Sequence, residues 1–270
     1  MLRTRILTAA LVIAILVPVL IFGGLEGVVL LVVGCSACAV SELSRHLSGL
    51  KTTASRVLMF LTGFSILVAF YLLPQKAFFA IIVLFPLLIL VIHLFLYNVI
   101  ENTVDSVVQM TFVTAYIVAP LGHAILLGRL QMGIVWIFFV LLVVSLGDAG
   151  AYFAGKYLGT HRFSRHVSPA KTIEGLFGGA AANFLGMFAM KMVVPGLPSY
   201  DLLIILTLLI ALIAPVGDLC ASAIKRRLGI KDFGSLLPGH GGIMDRADSL
   251  IFAFPATYHF LVLAGSAVIS

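Results

Sequence analysis

Nothing constrains the fold of this 270-residue chain more than nine successive apolar stretches, each long enough to cross a lipid bilayer. They run at about 6–23, 27–44, 56–73, 77–97, 106–128, 132–154, 173–194, 200–221 and 249–268, and a helix spans the hydrocarbon in about 20 apolar residues. The composition agrees. Hydrophobic residues make up 61% of the chain and charged residues only 10%, with a mean hydropathy of +1.18, whereas soluble domains carry roughly 25% charged residues. The expected fold class is all-α, a polytopic integral membrane protein with about nine transmembrane helices. Arg3 and Arg5 precede the first run as in a signal peptide. A small-residue cleavage site is lacking and another span follows at once, so the run reads as a retained helix.

The net charge is +6. In a soluble protein such an excess suggests nucleic acid; here it records membrane orientation, and no nucleic-acid partner is expected. With the N-terminus inside, fourteen of the seventeen Lys and Arg residues fall on inner segments, Lys76 and Arg129 lie outside, and Lys191 lies within a span. This asymmetry predicts a cytoplasmic N-terminus and an outside C-terminus. It puts both long polar loops, 155–172 and 222–248, on the cytoplasmic face, where they can build one site. Charge and glycine motifs concentrate after residue 145, which suggests a scaffold of helices over 1–104 and a catalytic region over 105–270. Cys35 and Cys38 are spaced CxxC, yet sit in an apolar run beside Gly34, Ser36 and Ala37, where small residues at a helix contact are expected.

Chemistry gathers in a few places. Asp148 and Asp218 lie at or just inside the ends of apolar runs, both directly after a glycine. A carboxylate there needs a polar cavity and a partner. If the eighth helix continues past its apolar end, Asp218, Ser222 and Lys225 stand at i, i+4 and i+7 on one face. Asp245 and Asp248, three apart, share a face at the start of the ninth helix. Oxygen ligands of this kind suit Mg²⁺ rather than Zn²⁺. Lys225, Arg226, Lys231 and Arg246 nearby would share the negative charge of a phosphate-bearing substrate with the metal. In the segment PGHGG, which includes His240, Gly241 and Gly242, glycines let the backbone approach phosphate oxygens before a helix N-terminus. In the other loop Arg162 and Arg165 form a basic surface suited to anionic lipid. Ser168-Pro169 reads there as N-cap and first helical residue, placing Lys171 in the first turn of the next helix.

Ser222 through Asp248, SAIKRRLGIKDFGSLLPGHGGIMDRAD, resembles the signature of the phosphatidate cytidylyltransferase (CDP-diacylglycerol synthase) family. It has S-x-apolar-K-R, four residues, K-D, then H-G-G-x-x-D-R-x-D. GDAGAY, SPAKTIEG and GDL upstream are similar to that family in order and spacing, so the resemblance covers roughly 140–260. It implies Mg²⁺-dependent transfer of a cytidylyl group from CTP to phosphatidate in a cell's inner membrane, with release of pyrophosphate. It also implies Asp218, Asp245 and Asp248 as metal ligands, and Lys171, Lys225, Arg226, Lys231 and Arg246 as phosphate contacts. Asp148 and Tyr152 would line the cavity, a monovalent cation such as K⁺ would assist, and the protein would be a homodimer. Two positions depart from the family pattern. Ala221 replaces a usual acidic residue before Ser222, and Ala247 is small where a larger apolar residue is common.

Two other classes share parts of this equipment. A transporter for an anionic solute would also use intramembrane carboxylates, but would spread polar residues through the bilayer depth, whereas here they gather at one face. A lipid or polyprenol kinase, or a cytidylyltransferase for another lipid phosphate, keeps the same metal and nucleotide logic and is separated by substrate competition.

Overall fold

The computed structural model describes residues 2–73, 78–95, 103–164 and 167–265. Arg165, His166 and the 74–76 connection, which holds Lys76, therefore lie outside the described residues. The chain is mostly helical and divides into two compact units, Met1–Leu126 with Asp232–Asp245, and Leu127–Lys231 with Arg246–Ser270.

In the first unit α1 runs from Leu2 to Ser44, 43 residues. At 1.5 Å per residue a straight helix of that length is about twice as long as the hydrocarbon is thick. It is not straight. Gly24 adopts φ +53° and ψ −133°, a conformation open to glycine, and Gly27 comes so close to the Val19 carbonyl that a Cβ has no room there. The two arms correspond to the separate runs expected at 6–23 and 27–44. Thr8 and Glu42, nearly equidistant along the chain from Gly24, both bond to the 232–245 segment.

Helix α2 spans Thr53–Leu72, its N-cap Thr52 accepting from the Ser55 N–H at 3.1 Å. Helix α3 covers Phe78–Phe95 and α4 covers Thr103–Val113, which continues through a π-helical stretch, Thr114–Val118, into α5, Ala119–Gly128. A 3₁₀ turn at Ser48–Leu50 docks on α4, where Ser106 Oγ donates to the Gly49 carbonyl at 2.6 Å and the Gly49 N–H donates to Gln109 Oε1 at 2.8 Å.

The second unit contains α6 (Gly133–Leu158), the strands β1 (Arg162–Ser164) and β2 (Ser168–Thr172), α7 (Ile173–Val193) and α8 (Tyr200–Leu228). It also holds α9 (Met244–Leu263) from Arg246 onward. Glycines set how closely α6 and α7 approach. A Cβ on Gly150 would stand 2.5 Å from the Ala182 Cβ and 2.7 Å from the Gly178 oxygen, and one on Gly179 would stand 3.0 Å from the Gly147 oxygen. Within hydrocarbon, where apolar burial gives no drive for helices to associate, such backbone proximity supplies the contact.

The structure corrects the sequence reading around Lys171. Ser168 and Pro169 do not start a helix. They lie in β2, which pairs antiparallel with β1 through Arg162 with Thr172 and Ser164 with Ser168. The cap is Thr172, whose Oγ1 accepts from the Gly175 N–H at 3.1 Å, so Lys171 precedes α7 on a strand rather than lying in its first turn. This hairpin is the one departure from an all-helical chain among the named elements.

Among the described residues six helices are long and apolar enough to cross a membrane: Leu7–Ser44, Thr53–Leu72, Val104–Gly128, Gly133–Leu158, Ile173–Val193 and Tyr200–Leu228. The α6–α7 contact generates a first test. Gly150→Val and Gly179→Val should each destabilise the protein by about 1–3 kcal/mol through overpacking, read as a lower thermal midpoint in detergent. Gly34→Ala on α1, where a Cβ meets nothing within 4 Å, should leave the midpoint unchanged or raise it.

Candidate active site

The two glycine–aspartate pairs share a local logic. Gly147 packs against Asn183 of α7, and Gly217 packs against the Asp248 carbonyl and Ser249 of α9, each where a side chain would collide. The next residue points about 100° further round the helix. Tight packing at the glycine therefore leaves the following carboxylate, Asp148 or Asp218, beside the contact and free of it.

Helix α8 continues through its charged end, as the spacing of Asp218, Ser222 and Lys225 requires, and stops at Gly229 with φ +69°. Its last turn carries Lys225, Arg226 and Arg227, cations placed where the helix dipole favours them. Asp218 Oδ2 pairs with Lys171 Nζ at 2.7 Å, and its Oδ1 accepts from Ser222 Oγ at 3.4 Å. Lys171 Nζ also donates to the Pro215 carbonyl at 3.2 Å, fastening β2 to α8. Asp148, Asp218 and Asp248 lie within electrostatic reach of one another, with Lys171 and Arg246 acting on Asp148 and Lys225 acting on Asp248. Asp248 is 8% exposed, its Oδ1 accepting from the Ser249 N–H at 2.7 Å. Three carboxylates and three cations thus occupy one neighbourhood of the second unit.

The first unit holds the glycine turn. Leu237 and Gly241 form a bridge, the Leu237 N–H donating to the Gly241 carbonyl at 2.9 Å, and Gly239 and Gly241 take φ +79° and +84°. Asp245 is 5% exposed, and its Oδ2 accepts from the N–H groups of Phe233 at 2.9 Å and Gly242 at 3.0 Å. Expected as a metal ligand, this carboxylate thus has one oxygen holding the two ends of the loop together. The buried Nδ1 of His240 has no hydrogen-bond partner among the described residues.

Of the remaining expected residues, Arg226 is exposed, its Nε donating to the Val167 carbonyl at 3.4 Å, and Lys231 and Arg246 are exposed as well. Tyr152 is 61% exposed, its ring edge-on to Phe153 with the Lys156 ammonium 5.9 Å from its centroid. Ala221 is fully buried, four residues along α8 from Gly217 and so on the face packed against α9. An apolar methyl there fills a helix contact.

Glu42, near the end of α1, was not anticipated. It is 5% exposed and its two oxygens accept from the N–H groups of Ile243 at 3.0 Å and Met244 at 2.9 Å, the start of α9. The available signal was an acidic residue closing an apolar run, the same signal that marked Asp148 and Asp218.

Among the described residues no three acidic, histidine or cysteine side chains converge closely enough to enclose an ion. The carboxylate oxygens nevertheless fit a hard divalent cation that keeps several waters and takes its other ligands from phosphate. Carboxylates beside cations at helix ends, with a glycine turn before a helix N-terminus, are the equipment of a membrane enzyme acting on phosphate-bearing substrates. The chain belongs to the cytidylyltransferase family, whose model matches residues 3–264, and is thereby a nucleotidyltransferase. It is similar to the phosphatidate cytidylyltransferase of Bacillus subtilis (strain 168), 34% identical over 271 residues that cover 97% of this chain and 98% of that protein. The phosphatidate cytidylyltransferases of Staphylococcus epidermidis (strain ATCC 12228 / FDA PCI 1200) and Staphylococcus aureus (strain COL) are each 31% identical, covering 94% of this chain and 96% of theirs.

The Lys171–Asp218 pair offers a test. Lys171→Met leaves Asp218 without its cation beside Asp148 and Asp248, and should lower unfolding free energy by about 1 kcal/mol, both groups being partly exposed. Adding Asp218→Asn should restore most of that stability without restoring activity, which thermal unfolding and turnover assays distinguish.

Proposed function

We propose that this protein transfers a cytidylyl group from CTP to phosphatidate, forming CDP-diacylglycerol and pyrophosphate. The observation that carries this reading is the single stretch Ser222–Asp248, which unites a cationic helix end, a glycine turn and acidic residues. Membership of the cytidylyltransferase family and similarity to phosphatidate cytidylyltransferases along nearly the whole chain support it.

In the proposed reaction a phosphate oxygen of phosphatidate attacks the α-phosphorus of CTP. The bond from that phosphorus to the bridging oxygen breaks, and pyrophosphate leaves with the electron pair. Positioning and charge neutralisation dominate such a transfer. Lys225, Arg226, Lys231, Arg246 and Lys171 supply positive charge for the phosphates, and the Gly241 N–H with His240 supplies donors, the Gly242 N–H being held by Asp245. Asp148 and Tyr152 are proposed to line the substrate's approach. Bound Mg²⁺ would neutralise the phosphates. The sequence motif supports Asp218, Asp245 and Asp248 as the carboxylates that carry it, and K⁺ as an accessory cation. Nine apolar runs support nine spans, and the distribution of Lys and Arg among their connections supports a cytoplasmic N-terminus, an outside C-terminus and an active site facing the cytoplasm in the inner membrane. A homodimer is proposed from the family resemblance.

Purified protein in detergent, given labelled CTP, phosphatidate and Mg²⁺, should make CDP-diacylglycerol in preference to products from ATP or other lipid phosphates. Asp218→Asn and Asp248→Asn should reduce turnover by roughly 100-fold or more while the protein stays folded. Absence of product at every lipid and metal concentration would refute the assignment. The topology is checked separately: in intact cells a Ser235→Cys thiol should be protected from impermeant reagents added outside.

A further inference from the structure

We infer that Glu42 is a positioning residue for nucleotidyl transfer, holding the glycine turn and the start of α9 in their working arrangement. This rests on the cytidylyltransferase reading of the 232–248 segment. Glu42 accepts from two consecutive backbone N–H groups, Ile243 and Met244, among those a helix start otherwise leaves unpaired. The next residues are Asp245 and Arg246, and a turn later Asp248. A carboxylate that fixes the first amides of α9 therefore fixes the direction in which those side chains leave the helix.

The segment is built around this carboxylate. A Cβ on Gly234 or on Gly242 would collide with the Glu42 carboxylate, so two glycines on either side of the turn close over it. Asp245 binds the Phe233 and Gly242 N–H groups from within the segment, and Thr8 Oγ1 donates to the Pro238 carbonyl at 3.0 Å. Glu42 is 5% exposed, so water does not replace these bonds when it is altered. It acts through the backbone amides it accepts from, Ile243 and Met244.

The test uses full-length protein in detergent. Glu42→Gln keeps the shape but replaces one accepting oxygen with a donor, so one amide loses its partner. It should lower kcat roughly 10- to 100-fold with KM for CTP changed much less, since small misplacements of reacting groups act at that scale. Hydrogen–deuterium exchange at Ile243 and Met244 should accelerate, while the thermal midpoint falls by only about 2–4 °C for the one buried bond lost. Glu42→Asp, which retains both oxygens on a shorter stem, should recover part of kcat. Gly234→Ala should mimic Glu42→Gln in an otherwise native chain, yet add no further loss to Glu42→Ala, because the carboxylate it strikes is gone. A Glu42→Gln enzyme within twofold of wild-type kcat, unchanged exchange at those amides, or losses from Gly234→Ala and Glu42→Ala that simply multiply would overturn the inference. Should wild type make no CDP-diacylglycerol, the cytidylyltransferase reading fails, and the exchange measurement still decides whether Glu42 holds the turn.

Discussion

A carboxylate at the edge of an apolar helix persists only where donors or cations replace the water it has lost. This constraint organises both units. Glu42 and Asp245 are satisfied by backbone N–H groups, and each of those bonds gives an irregular segment its form. Asp218 is satisfied by Lys171 and Ser222, which ties a strand to a helix. The charges are structural connectors first, and the cationic and glycine-rich features beside them inherit their positions from those connections.

Glycine does the complementary work. Helices that bury no more apolar surface against one another than against lipid need backbone proximity to associate, and Gly150, Gly178 and Gly179 provide it between α6 and α7. Where a glycine directly precedes an aspartate, the same contact sets the acidic side chain at its margin. Gly147-Asp148 and Gly217-Asp218 are one device used on two helices, and the buried Ala221 extends the second contact by a turn.

Much of this was legible in the residues because its causes are local. Apolar runs announced the helices, and the i, i+4, i+7 spacing of Asp218, Ser222 and Lys225 described a helix that does continue to Leu228. The turn at Gly239–Gly241 was marked by residues that tolerate positive φ. What escaped had distant or competing causes. Pro169 after Ser168 imitates a helix start, but pairing with Arg162–Ser164 and the Thr172 cap outweighed that local preference. The π-helical stretch at Thr114–Val118 carries no residue that announces it. Glu42 showed only its place at the close of an apolar run; its partners are backbone amides about 200 positions away, and a bond to backbone leaves no matching side chain to notice.

That separation bears on how the protein comes into being. Ribosomes release the chain from its N-terminus, so the arm bearing Glu42 exists long before Ile243 and Met244 have been translated. The glycine turn cannot close on a partly made polypeptide, and contacts this remote in sequence form late. The segment that groups with the helices of residues 1–126 is thus synthesised more than a hundred residues after them, and a chain ended before it lacks the turn altogether.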